Sequence, residues 1–524
     1  MRSPVSLAIE RRAKADEHLA PEVLNAYAAR NFGALWLDGN LRAHPRLPVL
    51  LDALDQARNH GLSANRHSSS ELRAAAGVEP GAAPDAAPRL DVEPAAALDL
   101  AASRALYELL RDLHAGQIDP RALGYAIDAS DRRAEAASLF EQALASADLA
   151  KAIDDAEPRT FLYRRLLDHL PKYRELASRA ELPLPHGSGK LDPGGRHASV
   201  PAIRALLEAL GDLPLTPEPV IPPKLANLYD ARLVEAMRRF QARHGLTADG
   251  VIGNATWAAL AVPPAERVRQ ITGTLERLRW LPDLGDGPFV LVNVPSYHLS
   301  VIPSGVNGGE PLLAMNVVVG QALDKQTPLL ASEIKNVVFR PYWNVPKSIT
   351  QNEIVPEIAK NPNYLAQNDM ELVASWGDNA AVLEPTPEHL AALAAGSIRV
   401  RQRPGPKNSL GALKFVFPND ESVYLHGTPM QSLFGRSRRD LSHGCVRVED
   451  PVALAELLLR GQDDWTRDKI VATSQTATNR WIELDQPLPV LLFYGTALPR
   501  PDGTIGFADD VYGLDEALNQ ALER

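Results

Sequence analysis

The feature that most constrains this chain is a change in the spacing of its apolar residues near residue 288. Before it, apolar side chains recur every three or four residues, as on one helix face, for example at Leu98, Ala102, Leu106 and Leu109. After it, apolar runs such as FVLVNVPSYHLSVIP and LLAMNVVVGQ alternate or are rich in β-branched residues, which indicates strands. With 524 residues, the chain is therefore predicted to be a multidomain α+β protein.

Charge and composition narrow the possible partners. The chain has 55 Lys and Arg against 65 Asp and Glu, a net charge of −10, which gives no positive field for nucleic acid or an anionic membrane. It contains no run of about 18 apolar residues, so we expect no membrane span. The N-terminal sequence MRSPVSLAIERRAKADEHLA has charges where a signal peptide needs apolar residues, which indicates a cytosolic protein or a start after a removed leader.

Residues 1–215 are predicted to form a mainly helical domain. Helical spacing of apolar residues is clear over Arg46–Asn59 and Thr160–Leu170, and a further short helix is expected at Ala202–Leu210. Residues 74–97 contain many Ala and Pro and few large apolar side chains, which is typical of a segment that does not fold alone. We therefore expect a surface linker there.

Residues 216–265 are predicted to form a small helical module. Leu233, Met237 and Phe240 share one helix face, and the sequence Asp249-Gly250 supplies a turn before a second short helix. These apolar residues would form a core in any helical hairpin, so they indicate a fold and leave a ligand site open.

The strand-rich part is predicted to form one domain over residues 287–475. Its short strand candidates follow one another closely, which favours a sandwich-like fold or a barrel over a parallel sheet, and Ser304–Gly309 supplies hairpin turn chemistry. A polar helical stretch over about 347–405 is too long for an ordinary loop, so it is either a lid or an insertion that only stabilises the domain. Residues 476–524 are expected to be a C-terminal extension packed on the preceding domains.

The candidate catalytic residue is Cys445, the single cysteine of the chain. Because there is only one cysteine, an internal disulfide and any zinc site built from several cysteines are excluded. His443 lies two residues before Cys445. His426 lies 19 residues before Cys445 and follows a predicted apolar strand. An imidazole that takes the thiol proton makes the thiolate, the form that attacks an acyl carbon. The rival reading is a metal site made from His426, His443 and Cys445, which the close spacing of His443 and Cys445 disfavours.

Other residues near the cysteine suggest how a substrate would be held. Gly444 lets the backbone approach a substrate, and the amides of Gly444 and Cys445 are candidate donors to an oxyanion. Arg447 is a candidate partner for a substrate carboxylate or for a local acidic residue. Arg436 and neighbouring arginines form either a positive rim for an anionic substrate or a solvated loop face.

Two resemblances cover most of the chain. The segment YDARLVEAMRRFQARHGLTADGVIGNATWAAL resembles the small three-helix peptidoglycan-binding modules. The sequence H-G-T followed by S-H-G-C-V-R is similar to the signature of the YkuD-type L,D-transpeptidases. The segments YWNVPKSITQNEIVPEI, RQRPGPKNSLGALKFVFPN and GFADDVYGLDEAL resemble the large YcbB-like branch of gram-negative bacteria, which joins a helical scaffold domain, a peptidoglycan-binding module and a catalytic domain with a capping subdomain.

The resemblance implies roles for the motif residues. Cys445 would be the nucleophile, His426 the general base, and His443 with Gly444 part of the cysteine loop and the oxyanion environment. Gly427 follows His426 and has no side chain to orient the imidazole, so orientation would come from a backbone carbonyl or a distant residue.

The resemblance also implies a set of substrate-binding residues. Arg447 and Gly427 are assigned to this set. Tyr342, Trp343 and Asn344 would line the site, although the two aromatic residues also fit a core.

The activity implied is peptidoglycan cross-linking. The cysteine would attack the L,D-peptide bond of a tetrapeptide stem, release D-alanine, and pass the acyl group to an acceptor stem amine as a 3-3 cross-link, without a metal or organic cofactor. Two alternatives remain: an L,D-carboxypeptidase or endopeptidase with water as acceptor, and a non-catalytic cell-wall-binding protein.

The resemblance further implies a setting for the protein. We expect a periplasmic monomer that acts on peptidoglycan stem peptides, with penicillin-binding proteins or other cell-wall enzymes as further partners. Carbapenems are the β-lactam class that acylates this family, and the sequence leaves open whether they react with this chain.

Overall fold

A computed structural model describes residues 2–79, 87–214, 222–284, 287–303, 310–323, 325–462 and 464–523. The chain divides into two compact units, Met1–Asp283 with Gly495–Arg524, and Leu284–Tyr494. The predicted hairpin turn at Ser304–Gly309 and the middle of the predicted linker, residues 80–86, lie outside the described residues.

The first unit is helical up to residue 283, as the spacing predicts. In chain order its helices are α1 (Pro4–Ala15), α2 (Pro21–Ala29), α3 (Arg46–Gln56), α4 (Ser70–Ala76), α5 (Val92–Ala115), α6 (Ser130–Ala145), α7 (Leu149–Asp154), α8 (Phe161–Ser178), α9 (Val200–Leu210), α10 (Ala231–Arg243), α11 (Asn254–Leu260) and α12 (Pro264–Arg279).

Helix α5 lies at the centre of the scaffold core. It begins inside the predicted linker 74–97, so the bounds of that prediction were wrong. The apolar stripe on this helix is buried, and its first turns already contribute Ala95 and Ala96, which are completely buried. Because α4 ends at Ala76 and α5 begins at Val92, the linker is shorter than the predicted 74–97. Small alanine side chains allow close helix packing, so a segment poor in large apolar residues is still folded here.

Helix α9 belongs to the small module, which corrects the predicted boundary at residue 216. One hydrophobic core joins Val200, Ile203 and Leu207 of α9 to residues of α10 and α11 such as Phe240 and Trp257. Without α9, the apolar faces of α10 and α11 would lack a partner layer. The module therefore includes the helix that the sequence assigned to the preceding domain.

The second unit is β-rich, as predicted. Its strands are β1 (Phe289–Asn293), β2 (His298–Ile302), β3 (Leu313–Gly320), β4 (Leu330–Phe339), β5 (Trp343–Asn344), β6 (Met370–Val373), β7 (Val382–Leu383), β8 (Arg399–Gln402), β9 (Leu413–Val416), β10 (Leu425–His426), β11 (Asp440–Ser442), β12 (Val446–Val448) and β13 (Arg480–Phe493). Its helices are α13 (Lys347–Ile349), α14 (Val355–Lys360), α15 (Tyr364–Gln367), α16 (Pro387–Ala394), α17 (Pro451–Leu458) and α18 (Arg467–Ser474).

Within the described residues, nine strands form one mixed sheet in the order β11-β3-β12-β10-β9-β4-β13-β1-β2. An additional antiparallel pairing of β2 with β3 closes the sheet on itself, so the arrangement is closer to a barrel than to two stacked sheets. Most pairs are antiparallel, whereas β1 with β13, β10 with β12, and β3 with β11 are parallel.

The strand-rich domain extends past its predicted end at residue 475, because it includes strand β13. It pairs with β4 on one side and β1 on the other, so it lies inside the sheet. Only the residues after Tyr494 leave this unit. There, β14 (Ala497–Pro499), β15 (Ile505–Phe507) and α19 (Leu514–Leu522) rejoin the first unit, where Asp515 pairs with the buried Arg277 of α12 at 2.6 Å.

The insertion contains strands as well as the predicted helices. Strands β5, β8, β6 and β7 form a second sheet in that order, and α13 to α16 accompany it. Its own apolar core includes Ile349, Ile354, Leu372, Leu393 and Val400. The insertion therefore begins with β5, slightly before the predicted residue 347, and is a small α+β layer.

Across the described part of the chain, no helix combines the length and the apolar composition that crossing a membrane requires.

Strand β9, which lies beside motif strand β10 in the sheet, contains a core residue whose contribution to stability can be predicted. Phe415 of β9 is fully buried and lies in register between Val337 of β4 and Leu425 of β10. Phe415→Ala should lower the free energy of unfolding of unit Leu284–Tyr494 by about 3–5 kcal/mol, because it removes buried area and leaves a cavity. Calorimetric unfolding measures this loss.

The matched control is Val416→Ala, the next residue on the same strand, which is only half-buried. We expect a clearly smaller loss for this variant. Equal losses for the two variants would contradict a core role specific to Phe415.

Candidate active site

Two parallel strands bring the motif residues together. In the pairing of β10 with β12, Leu425 lies opposite Val446 and His426 lies opposite Arg447. Because side chains alternate along a strand, His426 shares one face of the sheet with Arg447 and with Cys445, two residues earlier. His426 and Cys445, which are 19 positions apart in the chain, are thus brought together by adjacent strands.

The same face carries two residues that the sequence analysis did not single out. Tyr424 directly precedes β10, two residues before His426, and its ring centroid lies 5.7 Å from that of His426. On the other side of β10, the register places Lys414 of β9 opposite His426. The only available signal was the alternation of strand residues, which looks the same for any half-exposed strand.

The imidazole of His426 is oriented by a backbone carbonyl. Nδ1 lies 2.6 Å from the carbonyl oxygen of Gly427, and a carbonyl only accepts, so Nδ1 carries the hydrogen. Nε2 therefore holds the lone pair of a base in the neutral ring. Gly427, predicted as a substrate-binding residue, contributes its carbonyl to His426 in this structure, and a Cβ there would lie 3.2 Å from Pro451.

His426 is neutral over most of the pH range. Burial lowers its pKa to about 3, and the positive charges of Arg447 and Lys414 lower it as well. Hydrogen bonds to the carbonyls of Gly427 and Leu410 act in the opposite direction and raise the pKa.

The thiol of Cys445 is also neutral at rest. Burial raises its pKa, while hydrogen bonding to Tyr424 and the charges of Lys414 and Arg447 act in the opposite direction. Sγ lies 3.9 Å from the carbonyl oxygen of Ser422. The described hydrogen bonds of the thiol thus go to groups other than His426, so the resting pair is a thiol and a neutral imidazole.

The loop that carries the cysteine is held by two hydroxyl groups. Ser442 Oγ donates to the Cys445 carbonyl at 2.6 Å, and Thr327 Oγ1 donates to the Gly444 carbonyl at 2.8 Å. Gly444 has a φ of +114°, which side chains rarely adopt, so a glycine is needed for conformation although a Cβ would have room. The Gly444 amide donates to Ser442 Oγ at 3.3 Å, so this candidate oxyanion donor has a partner in the resting loop.

The side chain of His443 contacts the insertion. Its Nε2 lies 2.6 Å from Oε1 of Glu353, which also lies 3.3 Å from Nζ of Lys325. Partial burial alone would raise the pKa of Glu353, but His443 and Lys325 outweigh it, and the pKa lies below its usual value. Glu353 is on a π-helical turn, Thr350–Ile354, a feature often found at functional sites.

Arg447 is a largely buried cation facing the cysteine. Burial lowers its pKa, and its Nε is buried without a hydrogen-bond partner among the described residues. A buried guanidinium of this kind is suited to receive a carboxylate.

The remaining predicted site residues have other described partners. Trp343 and Asn344 form β5 at the start of the insertion, and Tyr342 lies beneath the Arg401 guanidinium, which is 4.1 Å from its ring centroid. In the arginine rim, Arg438 pairs with Asp440 at 2.7 Å and Arg439 donates to backbone carbonyls. These two arginines therefore have partners within the protein.

Metal ligation was the rival reading of His426, His443 and Cys445. In the described part of the chain, no group of three His, Cys, Asp or Glu side chains is arranged to hold a metal ion.

The neutral resting pair predicts how the cysteine responds to pH. A raised thiol pKa and a His426 that stays neutral mean that thiolate forms only as pH rises above the ordinary thiol range, near 8.5. We expect the iodoacetamide alkylation rate of Cys445 to increase continuously from pH 6 to pH 9. A plateau between pH 5 and pH 8 would instead indicate a preformed thiolate–imidazolium pair and would contradict this assignment.

Comparison with known domain families gives three matches. Residues 287–471 match the YkuD family, described as an L,D-transpeptidase catalytic domain. Residues 21–170 match a family described as a scaffold domain. Residues 196–260 match a family named "Putative peptidoglycan binding domain", and this range includes α9 as the module core does.

Two curated relatives were found. The chain is 35% identical over 270 residues to a protein of Haemophilus influenzae named "Putative L,D-transpeptidase", covering 49% of this chain and 51% of that protein. It is 44% identical over 69 residues to the N-acetylmuramoyl-L-alanine amidase CwlM of Mycobacterium tuberculosis, covering 13% of this chain and 17% of the amidase. The chain thus spans about half the length of the first relative and less of the second.

The domain matches and the first relative agree with the resemblance carried by the cysteine motif. Residues 287–471 of the chain thus match a YkuD L,D-transpeptidase catalytic domain, which is combined with matches to a scaffold domain and a peptidoglycan-binding domain.

Proposed function

We propose that the protein is a peptidoglycan L,D-transpeptidase in which Cys445 is the nucleophile and His426 the general base. The observation that carries this proposal is the register of β10 and β12, which places the cysteine and a Nδ1-protonated histidine on one face. The YkuD match and the Haemophilus influenzae relative support the class of reaction.

In the proposed first half-reaction, His426 Nε2 takes the thiol proton as Sγ attacks the carbonyl carbon of the L,D-peptide bond in a tetrapeptide stem. The tetrahedral intermediate collapses, the peptide C–N bond breaks, and the imidazolium gives its proton to the leaving amine of D-alanine. Burial and neighbouring cations disfavour the imidazolium, which makes it a strong acid for that second transfer. The Cys445 amide, with that of Gly444 after release from Ser442, would donate to the oxyanion.

In the second half-reaction, the side-chain amine of an acceptor stem attacks the thioester. His426 accepts the amine proton and returns it to the departing sulfur, so the thiol and the neutral imidazole are regenerated. The new amide bond is the 3-3 cross-link.

Arg447 is proposed to bind a carboxylate of the donor stem. Its guanidinium is largely buried, its Nε has no partner among the described residues, and it lies on β12 two residues after the cysteine, on the same face of the sheet. A carboxylate from the substrate would supply the missing hydrogen-bond acceptor.

The insertion is proposed to act as a lid closed by the Glu353–His443 contact. This hydrogen bond connects the insertion to the residue next to Gly444, so movement of one is transmitted to the other. Hydrogen bonds of partly exposed ion pairs are weak, which suits a contact that opens and closes.

Glu353→Gln tests the lid. Loss of the carboxylate charge should increase hydrogen exchange of the segment 347–360 by about two- to five-fold, as expected for an exposed pair worth ~0.5–1 kcal/mol. Glu357→Gln is the matched control, because Glu357 pairs with Lys360 within the same helix. Equal exchange in both variants would argue for an insertion that only stabilises the domain.

The protein is further proposed to be a periplasmic monomer that acts on peptidoglycan stem peptides beside other cell-wall enzymes such as penicillin-binding proteins. The peptidoglycan-binding domain supports peptidoglycan as its partner, and the cell-wall enzyme domains suggest an extracytoplasmic location.

The central prediction concerns acyl-enzyme formation. Cys445→Ala should form no covalent adduct with a tetrapeptide stem or a carbapenem, and His426→Asn should slow adduct formation by ~10²–10⁴-fold through loss of the general base. Intact-protein mass spectrometry against time measures both. The control is His18→Asn, an exposed histidine in the other unit, which should react as the wild type does.

Product analysis separates the possible acceptors. With an acceptor stem present, a transpeptidase gives the cross-linked dimer, whereas an L,D-carboxypeptidase gives only the tripeptide. A Cys445→Ala protein that still turns over the stem would refute the proposed nucleophile. Absence of any adduct in the folded wild type, with retained binding to sacculi, would favour the cell-wall-binding alternative.

A further inference from the structure

We propose that Lys414, which lies outside the H-G-T and S-H-G-C-V-R motifs, is an electrostatic residue of the active site whose ammonium group stabilises the Cys445 thiolate. The inference rests on the proposed nucleophilic role of Cys445.

The position of Lys414 follows from the strand order. Strand β10 lies between β9 and β12, and the register places Lys414 and Arg447 on either side of His426. Lys414 therefore shares the sheet face that carries the cysteine. Its Nζ lies 3.8 Å from the ring centroid of Tyr424, and the hydroxyl of Tyr424 hydrogen-bonds to Cys445.

Lys414 is a cation without a carboxylate partner. Among the residues that the structure describes, its ammonium group forms no ion pair and no hydrogen bond, and the described contact of that group is the cation–π contact with Tyr424. Asp378 acts on it only at longer range, and the Asp378 carboxylate accepts a hydrogen bond from Trp481 at 2.8 Å. Burial lowers the pKa of Lys414, so keeping the charge there has a cost that a nearby anion would offset.

The thiolate is the anion that this position fits. The charged or titratable side chains on the face of Cys445 are Tyr424 just before β10, His426 on β10, Arg447 on β12 and Lys414 on β9. Tyr424 holds its proton because burial raises its pKa well above the usual value. The field at the sulfur is therefore positive.

Lys414 and Arg447 differ in whether their positive charge remains uncompensated during the proposed reaction. Arg447 is the proposed partner of a substrate carboxylate, which would neutralise its charge once the donor stem is bound. Lys414 lies on the other side of His426, so its charge would remain uncompensated when the thiolate forms. It would also oppose the imidazolium and thereby favour proton transfer to the leaving amine.

The experiment measures the thiol pKa of Cys445 in the full chain from the pH dependence of iodoacetamide alkylation. Lys414→Met should raise this pKa by about one unit and slow alkylation at neutral pH about ten-fold. Lys414→Arg keeps the charge and should restore most of the wild-type profile. Lys335→Met, the same substitution on the exposed side of neighbouring β4, should leave the profile unchanged.

The outcomes separate charge from structure. A folded Lys414→Met protein with the wild-type thiol pKa would overturn the inference, as would a Lys414→Arg profile as shifted as that of Lys414→Met. Thermal unfolding confirms that each variant is folded.

Alkylation does not require transpeptidation. A shifted thiol pKa together with a Cys445→Ala protein that retains turnover would refute the proposed function and leave the electrostatic effect standing. An unshifted pKa in a protein that needs Cys445 for turnover would refute only the role of Lys414.

Discussion

The active site depends on one structural constraint, the parallel pairing of β10 with β12. This register sets His426 opposite Arg447 and so brings Cys445 to the same face, although nearly twenty residues separate the histidine and the cysteine. A shift of one residue would move one of the two strands' side chains to the other face and separate base from nucleophile. The buried apolar partners Leu425 and Val446 hold that register from the opposite face.

In the resting state the thiol of Cys445 and the imidazole of His426 are both neutral, and the side chains of Lys414 and Arg447 beside them are positively charged. Burial disfavours both charged forms, the thiolate and the imidazolium, while two cations on the neighbouring strands favour the first and oppose the second. In the proposed mechanism, the thiol stays protonated until substrate arrives. The proposed imidazolium of His426 would then pass its proton readily to the leaving amine.

The general plan of the fold could be predicted from the sequence, and the predictions failed where contacts between distant segments decide. The helical and strand periods predicted the α+β division, and the spacing of His426 and Cys445 suggested their meeting. The linker, the module boundary and the C-terminal extension were misplaced because α5, α9 and β13 are defined by the partners that bury them. Alanine-rich helix starts and a late strand carry little local signal of such partners.

The sequence by itself determined which chemistry is available, because one cysteine, two nearby histidines and a glycine-containing loop supply a candidate nucleophile, a candidate base and a tight turn. Only the tertiary structure decided which groups act together. It turned His443 to Glu353 of the insertion, oriented His426 through the Gly427 carbonyl, and placed Lys414 beside the site. The physical reason is that hydrogen bonds and charges act over a few ångströms in space, and strand register, not distance along the chain, sets those distances.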